Sequence, residues 1–350
     1  MPFVYVANLG MGGGNVSVID TKVNRLISNI QVEGSPVATV FSPNGQYGYV
    51  LSLGSPGHVI AIDTKDHRVM AQIQVGSVSF TGFPTTPIAI SHDGQWIYVA
   101  NNVSDNITVI DSKDLRVIAT VHVNDNPRFV TITPDDQFVY VGNNNSANVT
   151  VIKIKTHQVI STIPVGEDVA KIGITPNGKY AYICNLGTNT VSVVDIKTNQ
   201  VISTVGVGAN PFNLEITSDG QHVYVVNSQL MSFSGGNTVS VIETKTNQVI
   251  STVDVGAQPL TLKITADDQF VYVANIDGNT ISVIETKRNQ VLSTVRVGSA
   301  PFNLAITADG KYVYVSNTID NTTSVIETKT NQVISTIEVG SNPLTLGITP

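Results

Sequence analysis

Hydrophobic and polar residues alternate over short segments along nearly the whole chain. Residues 191–195 read Val-Ser-Val-Val-Asp, and residues 201–205 read Val-Ile-Ser-Thr-Val. Alternation of this kind, in residues of high β propensity, predicts short β-strands. Asp-Gly and Asn-Gly pairs follow many of these segments and favour tight hairpins. The pattern therefore predicts an all-β protein in which we expect no helix.

The same arrangement of segments recurs along the chain. Its clearest marker is Tyr-Val followed by a small residue and usually Asn, with spacings of 42 to 49 residues. The marker tyrosines are Tyr5, Tyr49, Tyr98, Tyr140, Tyr182, Tyr224, Tyr272 and Tyr314. A fixed period of this length is typical of solenoids and propellers. Eight markers predict eight repeats.

Each repeat contains four predicted strands, which we name a to d in chain order. Strand a ends in Ile-Thr, strand b holds the Tyr-Val marker, strand c resembles Ser-Val-Ile, and strand d resembles Val-Ile-Ser-Thr. Four antiparallel strands per repeat form a propeller blade. The sequence therefore predicts an eight-bladed β-propeller that makes a single domain over residues 1–350.

The two ends of the chain hold complementary parts of one blade. The chain begins at a strand b and ends with a strand a, at Thr349 and Pro350. We expect the segment 343–349 to pair with the segment 5–8, so that blade 1 is shared between residues 1–35 and 343–350. This pairing would close the ring and leave no sheet edge exposed.

These motifs resemble the YVTN family of propeller repeats. Tyr-Val-Ala-Asn, Thr-Val-Ser-Val-Ile-Asp/Glu and Ile-Thr-Pro/Ala-Asp-Gly carry the resemblance, which covers the whole chain. The family includes archaeal surface-layer proteins and exported bacterial proteins, and it is similar to lactonase-like propellers. The resemblance implies the fold and hardly any activity, because one fold supports many functions. Known members often have seven blades, so eight blades imply a wider central channel.

Composition narrows the range of partners. Charged residues make up 13% of the 350 residues and the net charge is −7, so no nucleic-acid partner is expected. Cys184 is the only cysteine, which excludes an internal disulfide, and no apolar stretch is long enough to span a bilayer. The chain starts inside the repeat pattern, so a secretion signal is expected to be absent or removed, and the compartment stays open. We expect a monomer.

Loop length differs between the two faces of the predicted propeller. Relative to a 42-residue repeat, insertions fall in the b–c loops 9–15, 52–58 and 228–237 and in the d–a loop 76–85. All of them emerge on one face, here called the insertion-bearing face. The a–b and c–d turns form the uniform face. Because loops on a rigid scaffold often carry binding residues, we expect function on the insertion-bearing face.

Four residues on these loops are candidates for ligand binding. They are Met11, His58, Phe80 and Phe83. A bound partner or ligand could cover the apolar members of this set. Alternatively, these side chains fold back over the channel mouth as a plug.

The innermost strand a places alternate side chains in the central channel. Its second and fourth positions are mostly small or neutral, but they include Lys171, Glu215 and Lys263 on blades 5, 6 and 7. Arg128, one position earlier on blade 4, is expected near the same mouth. Such charges could hold an anionic ligand, polarise a carbonyl or act as acid and base. The alternative is a salt bridge between adjacent blades in a water-filled tunnel.

Metal binding has little support in the sequence. Asn213, Asn303 and Glu215 offer oxygen ligands of the kind that Ca²⁺ accepts. We assign the two asparagines to ligand binding and expect no cofactor and no metal, with Ca²⁺ as the alternative. The six histidines form no cluster that would suit zinc. Cys184 lies on a strand b and is expected to pack in the core.

Two functional hypotheses remain. In the first, the propeller is a binding scaffold whose insertion-bearing face and channel mouth hold a small molecule, a glycan or a protein. In the second, it is an enzyme, either a lactonase-like hydrolase or an isomerase or cyclase, that uses the channel charges on a small organic substrate. The sequence contains no nucleotide-binding P-loop, Gly-x-Ser-x-Gly elbow or dinucleotide fingerprint. We favour the scaffold because no nucleophile is recognisable.

Overall fold

The computed structural model describes residues 2–10, 13–80, 82, 85–228 and 236–350. Eight sheets of four antiparallel strands follow one another around a common axis, which confirms the predicted eight-bladed propeller. In these ranges the single helical element is the 3-10 turn Asn144–Ser146. No helix within them is long and apolar enough to cross a membrane.

Each blade runs from strand a at the axis to strand d at the rim. Strands a are β4 (Ser35–Phe41), β8 (Ile88–Ile90), β12 (Pro127–Ile132), β16 (Val169–Ile174), β20 (Pro211–Ile216), β24 (Pro259–Ile264), β28 (Pro301–Ile306) and β32 (Pro343–Ile348). Strands b are β1 (Phe3–Asn8), β5 (Tyr47–Leu53), β9 (Trp96–Asn101), β13 (Phe138–Asn143), β17 (Tyr180–Asn185), β21 (His222–Asn227), β25 (Phe270–Asn275) and β29 (Tyr312–Asn317). Strands c are β2 (Asn15–Asp20), β6 (His58–Asp63), β10 (Asn106–Asp111), β14 (Asn148–Lys153), β18 (Thr190–Asp195), β22 (Thr238–Glu243), β26 (Thr280–Glu285) and β30 (Thr322–Glu327). Strands d are β3 (Arg25–Gln31), β7 (Arg68–Gln74), β11 (Arg116–His122), β15 (Gln158–Pro164), β19 (Gln200–Gly206), β23 (Gln248–Asp254), β27 (Gln290–Arg296) and β31 (Gln332–Glu338).

Strands b and c lie between neighbouring blades and are buried on both faces. In blade 5, every residue of β17 after Tyr180 is buried, as are the four central residues of β18. The outermost strand β19 is exposed except for its buried Val205 and a half-buried Ser203. Burial on both faces explains why the Val- and Ile-rich runs of strands b and c are nearly continuous.

A tyrosine on strand b connects most blades to the next one. All eight marker tyrosines are at most 1% exposed. Seven of their hydroxyls hydrogen-bond to an Asn or His in the c–d turn of the following blade, a contact that we call the tyrosine clasp. The clasps are Tyr5–His67, Tyr98–His157, Tyr140–Asn199, Tyr182–Asn247, Tyr224–Asn289, Tyr272–Asn331 and Tyr314–Asn24. The turn residues have φ between 50° and 54°, a left-handed conformation that Asn tolerates better than most residues.

The asparagine that ends most strands b fixes strand c and the following loop. In blade 6, Asn227 Nδ2 donates hydrogen bonds to Thr238 Oγ1 (3.0 Å) and Ser240 Oγ (2.9 Å). Gly208, from the Val-Gly loop, packs against the same amide group. An added Cβ on Gly208 would lie 2.6 Å from Asn227 Cγ, so this close approach requires glycine.

The ring closes through the pairing of the first and last strands. β1 is antiparallel to β32, with Tyr5 opposite Gly347. Phe3 N donates to Thr349 Oγ1 (2.8 Å), and Thr349 N donates to Phe3 O (3.0 Å). The predicted closure is confirmed.

Deleting residues 341–350 should destabilise the whole propeller. The deletion removes β32, exposes an edge of β1 and opens blade 1 to solvent. We expect the unfolding temperature to fall by roughly 10 °C or more, because several kcal/mol of strand pairing and packing are lost. Calorimetry and limited proteolysis would measure the change. Deleting residues 229–234, the insertion in blade 6, is the control, since loop length has a small effect on stability; equal effects of the two deletions would contradict the importance of closure.

Candidate functional site

A β-bulge near the start of the inner strands decides which side chains face the axis. In β20, the register with β21 shifts between Pro211 and Asn213, and Phe212 is the bulged residue. A bulge re-aims the side chains around it. As a result, Phe212 packs at the insertion-bearing end of the channel, Asn213 and Glu215 face the axis, and Leu214 packs in the core between blades.

Four bulged residues form an apolar ring at the insertion-bearing end of the channel. Phe212, Leu260, Phe302 and Leu344, from blades 6, 7, 8 and 1, pack together and are only 1–7% exposed. Val37 of blade 2 packs against them. Sequence reasoning missed this apolar ring, although its signal is a large apolar residue directly after the loop proline, in Pro-Phe and Pro-Leu pairs.

A cavity of about 240 Å³ lies on the axis beyond the apolar ring. Its wall includes Lys171, Asn213, Glu215, Lys263 and Asn303. The structure thus brings together three of the four charged candidates and both candidate asparagines. The side chains of Glu215 and Lys263 are 27% and 42% exposed, whereas the apolar ring is almost fully buried. The ion-paired side chains of the cavity wall therefore keep partial contact with solvent.

The three charged groups have unequal environments. Lys263 Nζ donates a hydrogen bond to Glu215 Oε1, which forms an ion pair between neighbouring blades. Among the described residues, Lys171 has no ion pair and no side-chain hydrogen bond. Its burial lowers the pKa of Lys171 to about 8; Glu215 opposes this shift and Lys263 adds to it. The predicted salt-bridge alternative holds for the Glu215–Lys263 pair and leaves Lys171 outside it.

The two asparagines differ in their remaining hydrogen-bonding capacity. Asn303 Oδ1 accepts a hydrogen bond from Leu346 N (3.4 Å). Asn213 Oδ1 is buried with no hydrogen-bond partner in the described part of the chain. A buried oxygen of this kind is costly unless a donor reaches it, and Asn213 borders the same cavity as Lys171.

Arg128 lies apart from the other charged candidates. It borders a small pocket on the insertion-bearing face together with Phe80, and its Nε donates to Asn126 Oδ1 (3.1 Å). Burial lowers the pKa of Arg128, and Asp168 opposes this shift. Phe80 is 41% exposed, so it borders the pocket without being covered.

Of the remaining candidates on the insertion-bearing face, His58 lies in the described part of the chain. The loop 76–85 is attached to its neighbours at both ends, because Val78 pairs with Gly54 and the adjoining Thr86 pairs with Phe129 of blade 4. His58 is half-buried at the start of β6, opposite Gln74. Met11 and Phe83 lie outside the described residues, so these two candidates stay predictions.

The described residues do not form a metal centre. No group of three or more His, Cys, Asp or Glu side chains comes together within the described ranges. Glu215, the one acidic residue on the cavity wall, is engaged by Lys263. Cys184 is fully buried, and burial raises the pKa of its thiol, as expected for a core cysteine.

Comparison with known families agrees with this architecture. The family profile described as "Lactonase, 7-bladed beta-propeller" matches residues 3–159. The chain is thus a β-propeller that is similar, over residues 3–159, to lactonase propellers. A second profile, described as "Cytochrome D1 heme domain", matches residues 230–343 of this propeller. The present ring has eight blades, one more than the description of the first profile.

Two curated proteins are similar to part of the propeller. It is 27% identical over 118 residues to the dihydro-heme d1 dehydrogenase of Pseudomonas aeruginosa, which covers 33% of this chain. It is 30% identical over 110 residues to protein NirF of Stutzerimonas stutzeri, which covers 31% of this chain. The matches span only 22% and 26% of those relatives.

Solved structures show the same fold at low sequence identity. The dihydro-heme d1 dehydrogenase NirN, in complex with DHE, has a TM-score of 0.80 at 16% identity, covering 99% of this chain and 74% of that one. Kuenenia stuttgartiensis hydrazine synthase has a TM-score of 0.68 at 20% identity, covering 84% and 95%. A protein of Desulfotomaculum acetoxidans, titled as functionally unknown, has a TM-score of 0.66 at 18% identity, covering 99% and 98%.

Replacing Lys171 with Met should stabilise the propeller in a pH-dependent way. The amine has a folded pKa of about 8 and an ordinary value of 10.5, so between these values the unfolded chain binds more protons. The free energy of unfolding of the wild type therefore increases as the pH rises from 8 to 10. Below pH 8 the full cost of burying the charged Lys171 amine is present. We expect Lys171→Met to be more stable by roughly 2 kcal/mol at pH 7, with a smaller advantage at pH 10.

Urea unfolding across this pH range would measure the difference. Lys197→Met is the matched control, because Lys197 is exposed in the c–d turn of the same blade. An advantage of Lys171→Met that does not change with pH would contradict the assignment of a desolvated amine.

Proposed function

We propose that this propeller is a binding protein whose central cavity holds a small organic anion. The observation that carries the proposal is the charge of the cavity wall. Glu215 and Lys263 neutralise each other as an ion pair, and Lys171 is a further amine without a partner among the described residues. A protonated Lys171 therefore leaves one positive charge uncompensated, and a monoanion would balance it.

The neighbouring amide group favours a particular class of anion. Asn213 borders the same cavity, and its buried Oδ1 lacks a hydrogen-bond donor among the described residues. A carboxylate that also carries a hydroxyl or amino group could bind Lys171 with its charge and donate to Asn213. Small 2-hydroxy acids and amino acids have this chemistry. A bound carboxylate would also raise the pKa of Lys171 toward its ordinary value.

The name of one curated relative, a dihydro-heme d1 dehydrogenase, and the description of the cytochrome D1 heme domain profile make a tetrapyrrole another ligand to consider. The cavity of about 240 Å³ is below the roughly 300–1,000 Å³ of pockets for drug-sized ligands, and a tetrapyrrole macrocycle is a large ligand. No histidine, cysteine or methionine lies on the described cavity wall to bind an iron. The described residues therefore fit a small anion and not an enclosed tetrapyrrole.

An enzymatic role for Lys171 is the second candidate function. A lysine whose pKa falls to about 8 is partly neutral near physiological pH and can serve as a base or a nucleophile. Glu215 and Lys263 would then supply charge next to it. The substrate would be a small organic molecule, such as a lactone.

Binding of lactate and propionate would test the first candidate. Isothermal titration calorimetry should show lactate binding, with weaker binding of propionate, which lacks the hydroxyl group. Lys171→Met should abolish binding of both acids, while Asn213→Ala should remove the preference for lactate. Lys197→Met is the control that leaves both affinities unchanged.

Glu215→Gln separates binding from catalysis. It removes the anion that neutralises Lys263, so binding of an organic anion should become tighter. In an enzyme that uses Glu215, turnover of a γ-lactone should instead collapse. Absence of lactate and propionate binding in the wild-type protein would overturn the anion proposal. A haem absorbance change that depends on Lys171 would favour the tetrapyrrole.

A further inference from the structure

The interface between blades 2 and 3 differs from the other seven interfaces of the ring. At the other seven, a marker tyrosine forms the tyrosine clasp with an Asn or His of the next blade. At this interface, the tyrosine is Tyr49 and the turn position holds Leu115. Leucine has no acceptor for the hydroxyl, so the clasp is missing.

Leu115 occupies its position against its own conformational preference. It has φ = 51°, in the left-handed region shared by all eight equivalent turn residues. A branched apolar residue is disfavoured in that region, whereas Asn tolerates it. Backbone strain that persists in a structure often marks a functional position. Here the strain places an apolar side chain where the rest of the ring has a polar one.

A second change lies directly opposite Tyr49. Its cross-strand partner in β6 is Ala61. In the other seven blades, the residue opposite the marker tyrosine is valine: Val18, Val109, Val151, Val193, Val241, Val283 and Val325. Ala61 therefore removes side-chain volume beside the same tyrosine that has lost its clasp.

The two changes adjoin a pocket of about 320 Å³ at this interface. Tyr47, Tyr49, Ala61, Met70 and Leu115 supply its apolar wall, and Ser112 supplies a hydroxyl. Met70 is 48% exposed. The pocket includes residues of the a–b and c–d turns, so it opens near the uniform face, away from all the loop insertions.

The wall favours an aromatic ligand with one polar group. Tyrosine rings and a methionine thioether make favourable contacts with aromatic rings. The Tyr49 hydroxyl is buried next to Ser112, and burial raises the pKa of Tyr49 to about 12, although the hydrogen bond with Ser112 opposes the shift. A neutral hydroxyl can both donate and accept a hydrogen bond. Asp93 and Lys113, also on the wall, carry opposite charges and select neither anions nor cations.

We propose that the pocket between blades 2 and 3 is a second binding site, which takes a small neutral aromatic molecule carrying a hydroxyl or N–H group. Such a ligand fills the volume left by Ala61 and stacks against Tyr47 and Met70. Its polar group replaces the lost clasp by hydrogen-bonding to the Tyr49 hydroxyl. This site is separate from the axial cavity and does not depend on the proposed anion binding.

Binding of indole and p-cresol to the full chain would test the proposal. Ligand-observed saturation-transfer NMR should detect binding of both probes by the wild-type protein. Ala61→Val restores the residue of the other seven blades and should weaken binding at least tenfold by filling the pocket. Leu115→Asn restores the clasp and should weaken binding similarly, while it raises the unfolding temperature because backbone strain at this turn is relieved.

Two control variants separate this site from its surroundings and from the axial cavity. Asp114→Asn changes an exposed neighbour of Leu115 that does not border the pocket, and it should bind both probes as the wild-type protein does. Lys171→Met should also leave probe binding unchanged. The proposal is overturned if the wild-type protein binds neither probe at millimolar concentration, or if Ala61→Val and Leu115→Asn bind them as well as the wild type does.

Discussion

Each blade of this propeller buries both faces of its sheet only against its two neighbours. A single four-stranded sheet with apolar side chains on both faces cannot be stable alone, so every blade depends on the one before and the one after. The pairing of β1 with β32 turns this dependence into a closed ring. The tyrosine clasps also hold neighbouring blades together, because each connects a strand b to the c–d turn of the next blade. Stability in this protein is therefore a property of the interfaces more than of the blades.

The interior of the ring follows from the same constraint. The inner strands pack side by side and leave an axial space that alternate side chains must line. Bulges near the start of these strands turn large apolar residues toward one end of the space, where Phe212, Leu260, Phe302 and Leu344 of four neighbouring blades pack together. The charged groups lie beyond this apolar ring, where desolvation lowers the pKa of Lys171 to about 8. The apolar ring thus separates an apolar part of the channel from a charged part.

The repeat also provides its own standard of comparison. The eight interfaces are equivalent in position and are formed by nearly the same residues. They therefore show which side chains packing between blades requires. Where Leu115 and Ala61 replace the residues found at the other seven, the interface loses the tyrosine clasp and packing volume and accepts a strained turn residue, while Ser112 hydrogen-bonds to Tyr49 instead. Such changes lower the stability of the protein. Binding often occurs at sites where stability is reduced in this way.

The sequence by itself determined the number of blades, the four strands of each blade and the closure of the ring. These features depend on the local alternation of hydrophobic and polar residues and on a repeat length that recurs along the whole chain. The sequence also placed Lys171, Glu215 and Lys263 on the channel wall, since the alternation of strand a fixes which residues share a face. Only the tertiary structure decided how these groups interact: Glu215 pairs with Lys263, Lys171 stays unpaired among the described residues, and Arg128 lies in another pocket. The same holds for the missing clasp, because Tyr49 and Leu115 are 66 residues apart in the chain. Contacts between blades join residues distant in sequence, and their geometry is set by the closed ring rather than by any local pattern.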